Sequence, residues 1–266
     1  MRENRPNKPN YRRSAAPAPV EEVEGQLEGR NALAEALKSG RTIDKVFIAS
    51  GEIDQGLQRL AAQAKDAGAV VVPVDRRKLD AMSTTHAHQG VITLAAAHEY
   101  CSIDDILEEA ASRGENALIV ICDELSDPHN LGAILRTAEC AGAHGVIIPK
   151  RRSVGLTATV AKASAGAVEY MKVARVTNIN AAIAELKEKG VWVFGTAAEG
   201  SIPMYQADLT GPAAIVIGSE GDGMSPLVRK NCDVTVHIPM KGRITSLNAS
   251  AAASILLYEA VRQRLG

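Results

Sequence analysis

The chain of 266 residues is long enough for two domains of ordinary size, and its 46% hydrophobic and 23% charged residues are typical of a folded, water-soluble protein. A formal net charge of -1 excludes a global positive field, so any contact with nucleic acid must come from local basic patches. No apolar run reaches the length of a membrane span, and the first residues lack a signal-peptide core, so we expect a cytoplasmic protein without a membrane partner.

Residues 1–22 are predicted to be a disordered basic tail. They are rich in Pro, Asn and Arg and contain almost no branched aliphatic residues, so they cannot bury enough surface to offset the entropy of ordering. Such a tail could contact phosphate groups, but a solubilising extension explains the composition equally well.

Residues 23–98 predict a small α/β domain. Helical spacing covers residues 30–37 and 57–67, and short strands are predicted at 45–49, 69–74 and 91–96. A polar helical segment, residues 99–115, is predicted to link this domain to the rest of the chain.

Residues 116–266 predict a larger α/β domain. Apolar strands are expected at 117–122, 145–148, 191–194, 213–217 and 233–238, and helices at 131–141, 156–165, 179–189 and 247–264. Continuous apolar strands separated by helices are typical of a mostly parallel sheet that is covered on both faces.

Polar or glycine-rich segments follow four of these strands, at residues 127–132, 195–197, 218–223 and 239–242. Each alone could be a simple turn, but the carboxyl ends of parallel strands meet at one edge of a sheet, where ligands bind. Their coincidence there predicts a ligand site.

The first of these segments leads into a helix. We expect Asn130 to cap that helix, and Arg136 then lies about one and a half turns further along. Arginine binds phosphate in bidentate geometry, but a surface arginine with a solvated head is an equally simple interpretation.

The segment after residue 217 could instead bind a dinucleotide, because glycines after a strand can cradle a pyrophosphate. Its spacing is G-x-x-G-x-G, however, and Glu220 would place a carboxylate inside the cradle, so a nucleotide-dependent oxidoreductase is disfavoured.

The last helix is predicted to open at Thr245-Ser246-Leu247-Asn248. Ser246 could simply cap it, and free amides at a helix start also make a hydrogen-bonding niche for a ligand. The four cysteines form no C-x-x-C pair, Cys122 and Cys140 are expected to be buried thiols, and no metal site is predicted.

Three segments together resemble the SpoU branch of the SPOUT RNA methyltransferases. They are D-P-H-N-L-G-A-I-L-R-T-A at residues 127–138, I-V-I-G-S-E-G-D-G-M at 215–224, and I-P-M at 238–240 continuing through S-L-N-A-S at 246–250 to Y-E at 258–259. Upstream, G-R-N-A at 29–32 and H-Q-G-V at 88–91 resemble the small substrate-binding domain of the TrmH/RlmB group.

The resemblance implies a catalytic domain with a trefoil knot, a homodimer with sites near its interface, and S-adenosyl-L-methionine as cofactor, without a metal. It implies that the cofactor contacts Gly195, Thr196, Gly218, Ile238 and Leu247. It places Asn130, Arg136, Glu220, Ser246 and Asn248 around the reacting groups, with Arg136 assisting attack by a ribose 2′-OH. Since a guanidinium rarely loses its proton, positioning and charge stabilisation suit Arg136 better than the role of base.

The implied substrate is structured RNA. The RlmB group methylates the ribose of a guanosine in 23S rRNA, and this is the expected activity, with a tRNA ribose methyltransferase as the alternative. A non-catalytic RNA-binding protein would be expected to have lost Arg136, Glu220 or Asn248, and none is lost.

Overall fold

The computed structural model describes residues 25–51, 54–96, 98–197 and 201–266, so the predicted basic tail lies outside the described residues. Within these ranges the chain forms two sheets, one of four strands and one of seven. No helix in them is long and apolar enough to cross a membrane.

The four-stranded sheet belongs to a small domain. Its strands are β1 (Gln26–Glu28), β2 (Ile43–Ala49), β3 (Val70–Val74) and β4 (Val91–Ala95), in the order β1-β4-β2-β3. β2 and β3 are parallel, whereas β4 is antiparallel to β1 and β2. The helices are α1 (Arg30–Lys38), α2 (Gln55–Asp66) and α3 (Arg76–Met82). The sequence prediction missed β1 and α3, which are too short to show a period of their own.

Helix α4 (Ile103–Arg113) lies in the predicted linker. A capping box starts it, in which Ser102 Oγ accepts from Asp105 N at 3.1 Å and the Asp105 carboxylate accepts from Ser102 N at 2.7 Å. Its apolar face packs on the larger sheet, where Ile106 is fully buried so close to Gly145 that a Cβ on this glycine would lie 2.5 Å from Ile106 Cδ1. This segment is therefore part of the larger domain's core.

The seven-stranded sheet contains β5 (Leu118–Cys122), β6 (Gly145–Pro149), β7 (Val173–Val176), β8 (Trp192–Thr196), β9 (Ile202–Pro203), β10 (Ala213–Ile217) and β11 (Val234–His237). Their order is β7-β6-β5-β10-β8-β11-β9, and every pair is parallel, which confirms the predicted mostly parallel sheet. The prediction missed β7 and β9, because Arg175 interrupts the apolar run of β7 and β9 has only two residues.

Helices cover both faces of this sheet. They are α5 (Pro128–Cys140), α6 (Ala158–Ala163), α7 (Ile179–Glu188), α8 (Pro226–Asn231) and α9 (Ala249–Leu265). Alternate residues of β5 face opposite cores: Val120 joins the core with α5, α6 and α9, whereas Ile119 joins the core with α4, α7 and α8. Cys122 is buried as expected, but Cys140 is exposed near the end of α5. The trefoil knot stays a prediction.

A buried ion pair joins the two domains. Arg175 Nη1 on β7 lies 2.6 Å from Asp44 Oδ1 on β2, and both side chains are 6% exposed. Tyr100 OH donates to the same Asp44 oxygen at 2.7 Å and accepts from Leu156 N at 2.8 Å. Because these bonds link β2 to three segments of the larger domain, they fix the orientation of the small domain.

Candidate active site

The loops that follow β8 and β11 enclose, together with the start of α9, a cavity of about 470 Å³. β8 lies between β10 and β11, so the loops at the carboxyl ends of these strands are neighbours. The volume is within the range of small-molecule sites. The cavity is lined by Thr196, Ala197, Val236, His237, Ile238, Met240, Gly242, Ile244, Thr245, Ser246, Leu247, Ala252 and Leu256.

Three of the five predicted cofactor-binding residues, Thr196, Ile238 and Leu247, line this cavity. Gly195 and Gly218 are buried next to it and are not among its lining residues. A Cβ on Gly195 would lie 2.7 Å from Cys232 Sγ, so this glycine allows β8 to pack against the segment that leads into β11. Direct contact of the two glycines with a cofactor stays a prediction.

The loop after β10 is a tight turn. Ser219 N donates to Gly223 O at 2.9 Å, and Gly223 N donates to Ser219 O at 3.1 Å. A Cβ on Gly218 would lie 2.2 Å from the carbonyl carbon of Gly223, so only glycine fits there. Asp123, which is 4% exposed at the end of β5, accepts from Ser225 N at 2.8 Å and holds the far end of the turn. Glu220 is therefore presented on a rigid loop.

A hydrogen-bonded cluster unites three predicted site residues from distant parts of the chain: Asn130, Glu220 and Asn248. Asn130 Nδ2 donates to Glu220 Oε1. Asn248 Nδ2 donates to Asn130 Oδ1 at 2.9 Å and to Glu220 Oε1 at 3.3 Å. Asn130 is 5% exposed, whereas Glu220 and Asn248 are exposed. The cluster offers fixed amide and carboxylate groups beside the cavity.

The prediction that Asn130 caps α5 is wrong. Asp127 is the N-cap, with its side chain accepting from His129 N at 2.9 Å, and Pro128 occupies the first helical position. Hydrogen bonds from the His129 backbone and the Asn130 side chain lower the pKa of Asp127. Since Asp127 takes the capping role, the Asn130 side-chain oxygen is available to accept from Asn248 Nδ2 at 2.9 Å.

The start of α9 also differs from the prediction. Asn248, not Ser246, is the N-cap, and its Oδ1 accepts from Ser250 N at 3.0 Å and from Ala251 N at 3.3 Å. Asn248 therefore uses its oxygen to cap the helix and its nitrogen to hold the cluster. Ser246 is exposed and lines the cavity.

Arg136 is exposed on α5 and makes no ion pair or hydrogen bond within the described ranges. The structure does not bring it into the Asn130–Glu220–Asn248 cluster. Its guanidinium is therefore available to a ligand from outside.

Several lining residues were not predicted, among them Val236, His237 and Ile244, whereas Met240 and Gly242 belong to the 239–242 segment that the sequence placed at the ligand site. The sequence predicted that residues 239–242 border a ligand, but the position of this segment beside β8 shows that Ile244 also encloses the cavity. Burial raises the pKa of the neighbouring Cys232 thiol to about 11, which leaves it protonated at neutral pH. Across the described ranges, no group of His, Cys, Asp or Glu side chains could hold a metal ion.

Comparison with known proteins agrees with both domains. Residues 117–258 match the SpoU rRNA Methylase family, and residues 26–101 match the family "RNA 2'-O ribose methyltransferase substrate binding". A protein of Bacillus subtilis named as a TrmH family tRNA/rRNA methyltransferase is 49% identical over 236 residues, covering 89% of this chain and 94% of the relative. A similarly named protein of Staphylococcus haemolyticus is 48% identical over 238 residues, covering 90% of this chain and 95% of the relative.

Solved structures resemble the whole described fold. The SpoU methyltransferase AviRb of Streptomyces viridochromogenes, in complex with AdoMet, is 25% identical, with a TM-score of 0.58 and 90% of each chain covered. An AdoMet-bound rRNA methyltransferase from Sinorhizobium meliloti is 27% identical, with a TM-score of 0.58 and coverage of 91% of this chain and 88% of that chain. With its matching domains, its fold and its close relatives, the chain belongs to the SpoU/TrmH family of RNA methyltransferases.

Proposed function

We propose that this protein transfers a methyl group from S-adenosyl-L-methionine to a ribose 2′-OH of RNA, at a guanosine of 23S rRNA. The observation that carries the proposal is the Asn130–Glu220–Asn248 cluster beside the 470 Å³ cavity. Related structures hold AdoMet. The match of residues 26–101 to an RNA substrate-binding domain supports the substrate class.

The residues of the cavity fit such a cofactor. Apolar walls from Ile238, Leu247 and Leu256 suit the faces of an adenine ring, and Thr196 with the adjacent backbone supplies hydrogen bonds. Gly218 lets the turn after β10 close without a side chain. The cofactor supplies an electrophilic methyl group when bound.

The cluster and Arg136 provide the protein's part of the chemistry. Asn130 and Asn248 hold the Glu220 carboxylate in place, and Ser246 lies at the cavity wall. These groups orient the ribose so that its 2′-oxygen faces the cavity, and positioning of this kind can contribute several kcal/mol to the rate. Arg136 binds an RNA phosphate and stabilises the negative charge that develops on the 2′-oxygen as its proton passes to solvent water.

Two measurements test the proposal. Titration calorimetry should show binding of S-adenosyl-L-methionine and none of NAD; binding of NAD alone would refute it. Mapping of ribose methylation in rRNA and tRNA from a deletion strain should reveal one unmodified guanosine in 23S rRNA. Loss of a tRNA methylation instead would support the alternative substrate, and an unchanged map with intact RNA binding would indicate a non-catalytic protein.

A homodimer is also proposed. α9 carries apolar side chains on its outer face as well as its inner one, with Ile255 36% and Tyr258 51% exposed. A second copy would cover this face at the middle of the helix. Light scattering should give twice the chain mass, and Tyr258→Arg should give the monomer; a monomeric native protein would refute this assignment.

A further inference from the structure

A second cavity, of about 480 Å³, lies in the small domain. It forms where the end of β2 meets the first turns of α2 and α3 and the turn before β4. Its lining residues are Arg30, Ala49, Asp54, Leu57, Arg76, Gln89 and Gly90, and none of them lines the cavity of the candidate active site.

Three of these residues hold one another in place. Arg30 Nη1 lies 2.5 Å from Asp54 Oδ2, and the Arg30 backbone N donates to Gln89 Oε1 at 3.2 Å. Asp54 Oδ1 also accepts from Leu57 N at 3.0 Å, which caps α2. The bonds from Leu57 N and Arg30 lower the pKa of Asp54, so its carboxylate is ionised at neutral pH. The rim therefore offers donors and acceptors in fixed positions.

The turn that carries Gln89 is itself rigid. The Glu28 carboxylate accepts from Ser83 Oγ and Thr84 N, both at 2.6 Å, and from Thr85 Oγ1 at 2.5 Å. Partial burial opposes ionisation of Glu28, but these hydrogen bonds outweigh it and hold its pKa well below the ordinary value. A loop fixed by an ionised carboxylate is preorganised for binding.

The floor of the cavity is apolar, and one arginine on its rim, Arg76, has no partner within the described part of the chain. Leu57, which is 1% exposed, forms part of the floor. Gly90 has a φ of 84°, which favours glycine, and because it has no side chain it leaves space above the floor. Arg76, the first residue of α3, is exposed and makes no hydrogen bond or ion pair among the described residues.

We infer that this cavity binds one unpaired nucleotide of the RNA substrate, an assignment that rests on the proposed function. The base lies against Ala49 and Leu57, and its polar edge meets Asp54 and Gln89. Arg76 binds the adjoining phosphate. Proteins read RNA sequence chiefly through such unstacked bases, whose flat faces need an apolar surface and whose edges need fixed polar groups. A duplex could not place a base in so narrow a site.

The test compares Arg76→Ala with Arg77→Ala. The two arginines are neighbours on α3, but only Arg76 lines the cavity, so the pair separates a specific contact from a general loss of charge. The RNA is whichever unmodified pool, rRNA or tRNA from a deletion strain, the native protein methylates. RNA affinity is measured without methyl donor at salt concentrations from about 50 to about 200 mM, a range over which phosphate contacts change the affinity strongly.

Arg76→Ala should weaken RNA binding about five- to tenfold and raise KM similarly, with kcat within about twofold of the native value. The slope of log affinity against log salt should fall by about 0.7 to 0.9, which corresponds to one lost phosphate contact. Arg77→Ala should match the native protein in each measurement, and affinity for S-adenosyl-L-methionine should be the same in all three.

Native affinity and slope in Arg76→Ala, or equal losses in Arg77→Ala, would overturn the assignment. Because binding is measured without methyl transfer, failure of the native protein to methylate any RNA would refute the proposed function alone; rRNA and tRNA would then serve in turn as the binding probe.

Discussion

Replacing Arg175 by Met tests the idea that one ion pair sets the angle between the domains. The substitution keeps the volume of the side chain but removes the 2.6 Å contact with Asp44 Oδ1 and the bonds from Nη2 to Asp44 O at 3.1 Å and Lys150 O at 3.4 Å. The Asp44 carboxylate then stays buried with only Tyr100 OH as a partner.

The expected cost follows from that buried charge. Removing one partner of a buried ion pair typically costs about 3–5 kcal/mol, because the desolvation of the other charge is no longer compensated. Adding Asp44→Asn removes the charge and leaves a neutral amide that Tyr100 can still bond, so the double variant should lose only about 1–2 kcal/mol.

Urea unfolding and steady-state kinetics together provide the assay. A double-mutant cycle over the native, single and double variants should give a coupling of at least about 2 kcal/mol. Affinity for S-adenosyl-L-methionine should stay within about twofold, because the ion pair lies outside the 470 Å³ cavity, while kcat/KM for RNA falls. Additive losses, or a cost below about 1 kcal/mol for Arg175→Met, would refute this reasoning.

Three other substitutions address separate features. Asn248→Ala should cost about 1 kcal/mol of stability through the lost cap and reduce kcat at least tenfold, as measured by thermal unfolding and methyl transfer; unchanged kcat would remove the cluster from the mechanism. Gly218→Ala should force open the turn after β10 and abolish cofactor binding in calorimetry, and native affinity would show that the turn can yield. Glu28→Gln should lower stability at pH 7 by about 1–3 kcal/mol. Since hydrogen bonds lower the Glu28 pKa in the folded state, the ionised carboxylate stabilises the fold fully above pH 4.5, and this contribution is lost progressively as the pH falls from 4.5 through the lower pKa of the folded state. Urea titrations should therefore bring variant and native protein together at low pH, and a constant difference would contradict the assignment.

The strands were largely predictable because a strand that is buried on both faces has a continuous run of apolar residues in its sequence. β5 and β10 are buried at every position, and the sequence places both. β7 was not predictable in this way, because Arg175 occupies a strand position and its charge is compensated by Asp44, 131 residues earlier in the chain. A long-range ion pair leaves no local signal.

The candidate site was predictable as a set of residues but not as an arrangement. The motifs identified Asn130 and Asn248, yet local rules assigned the cap of α5 to Asn130 and that of α9 to Ser246. The Asp127-Pro128 pair did signal the earlier start of α5, since proline favours the first helical position. That Asn248 reaches Asn130 across 118 residues depends on how α9 packs beside α5, which no local pattern specifies.

The cluster of Asn130, Glu220 and Asn248 also determines when, during synthesis of the chain, the candidate active site can assemble. Synthesis completes the strands of the small domain at Ala95, before the first residue of the seven-stranded sheet is made. The last member of the cluster caps a helix that ends at Leu265, so its amide takes its place only when α9 has formed against α5. A nascent chain thus contains the whole of its nucleotide cavity long before it can assemble the groups that orient a ribose. Recognition precedes reactivity during biosynthesis, and a ribosome that stalls within α9 would release a protein with a complete small domain and an unfinished centre of reaction.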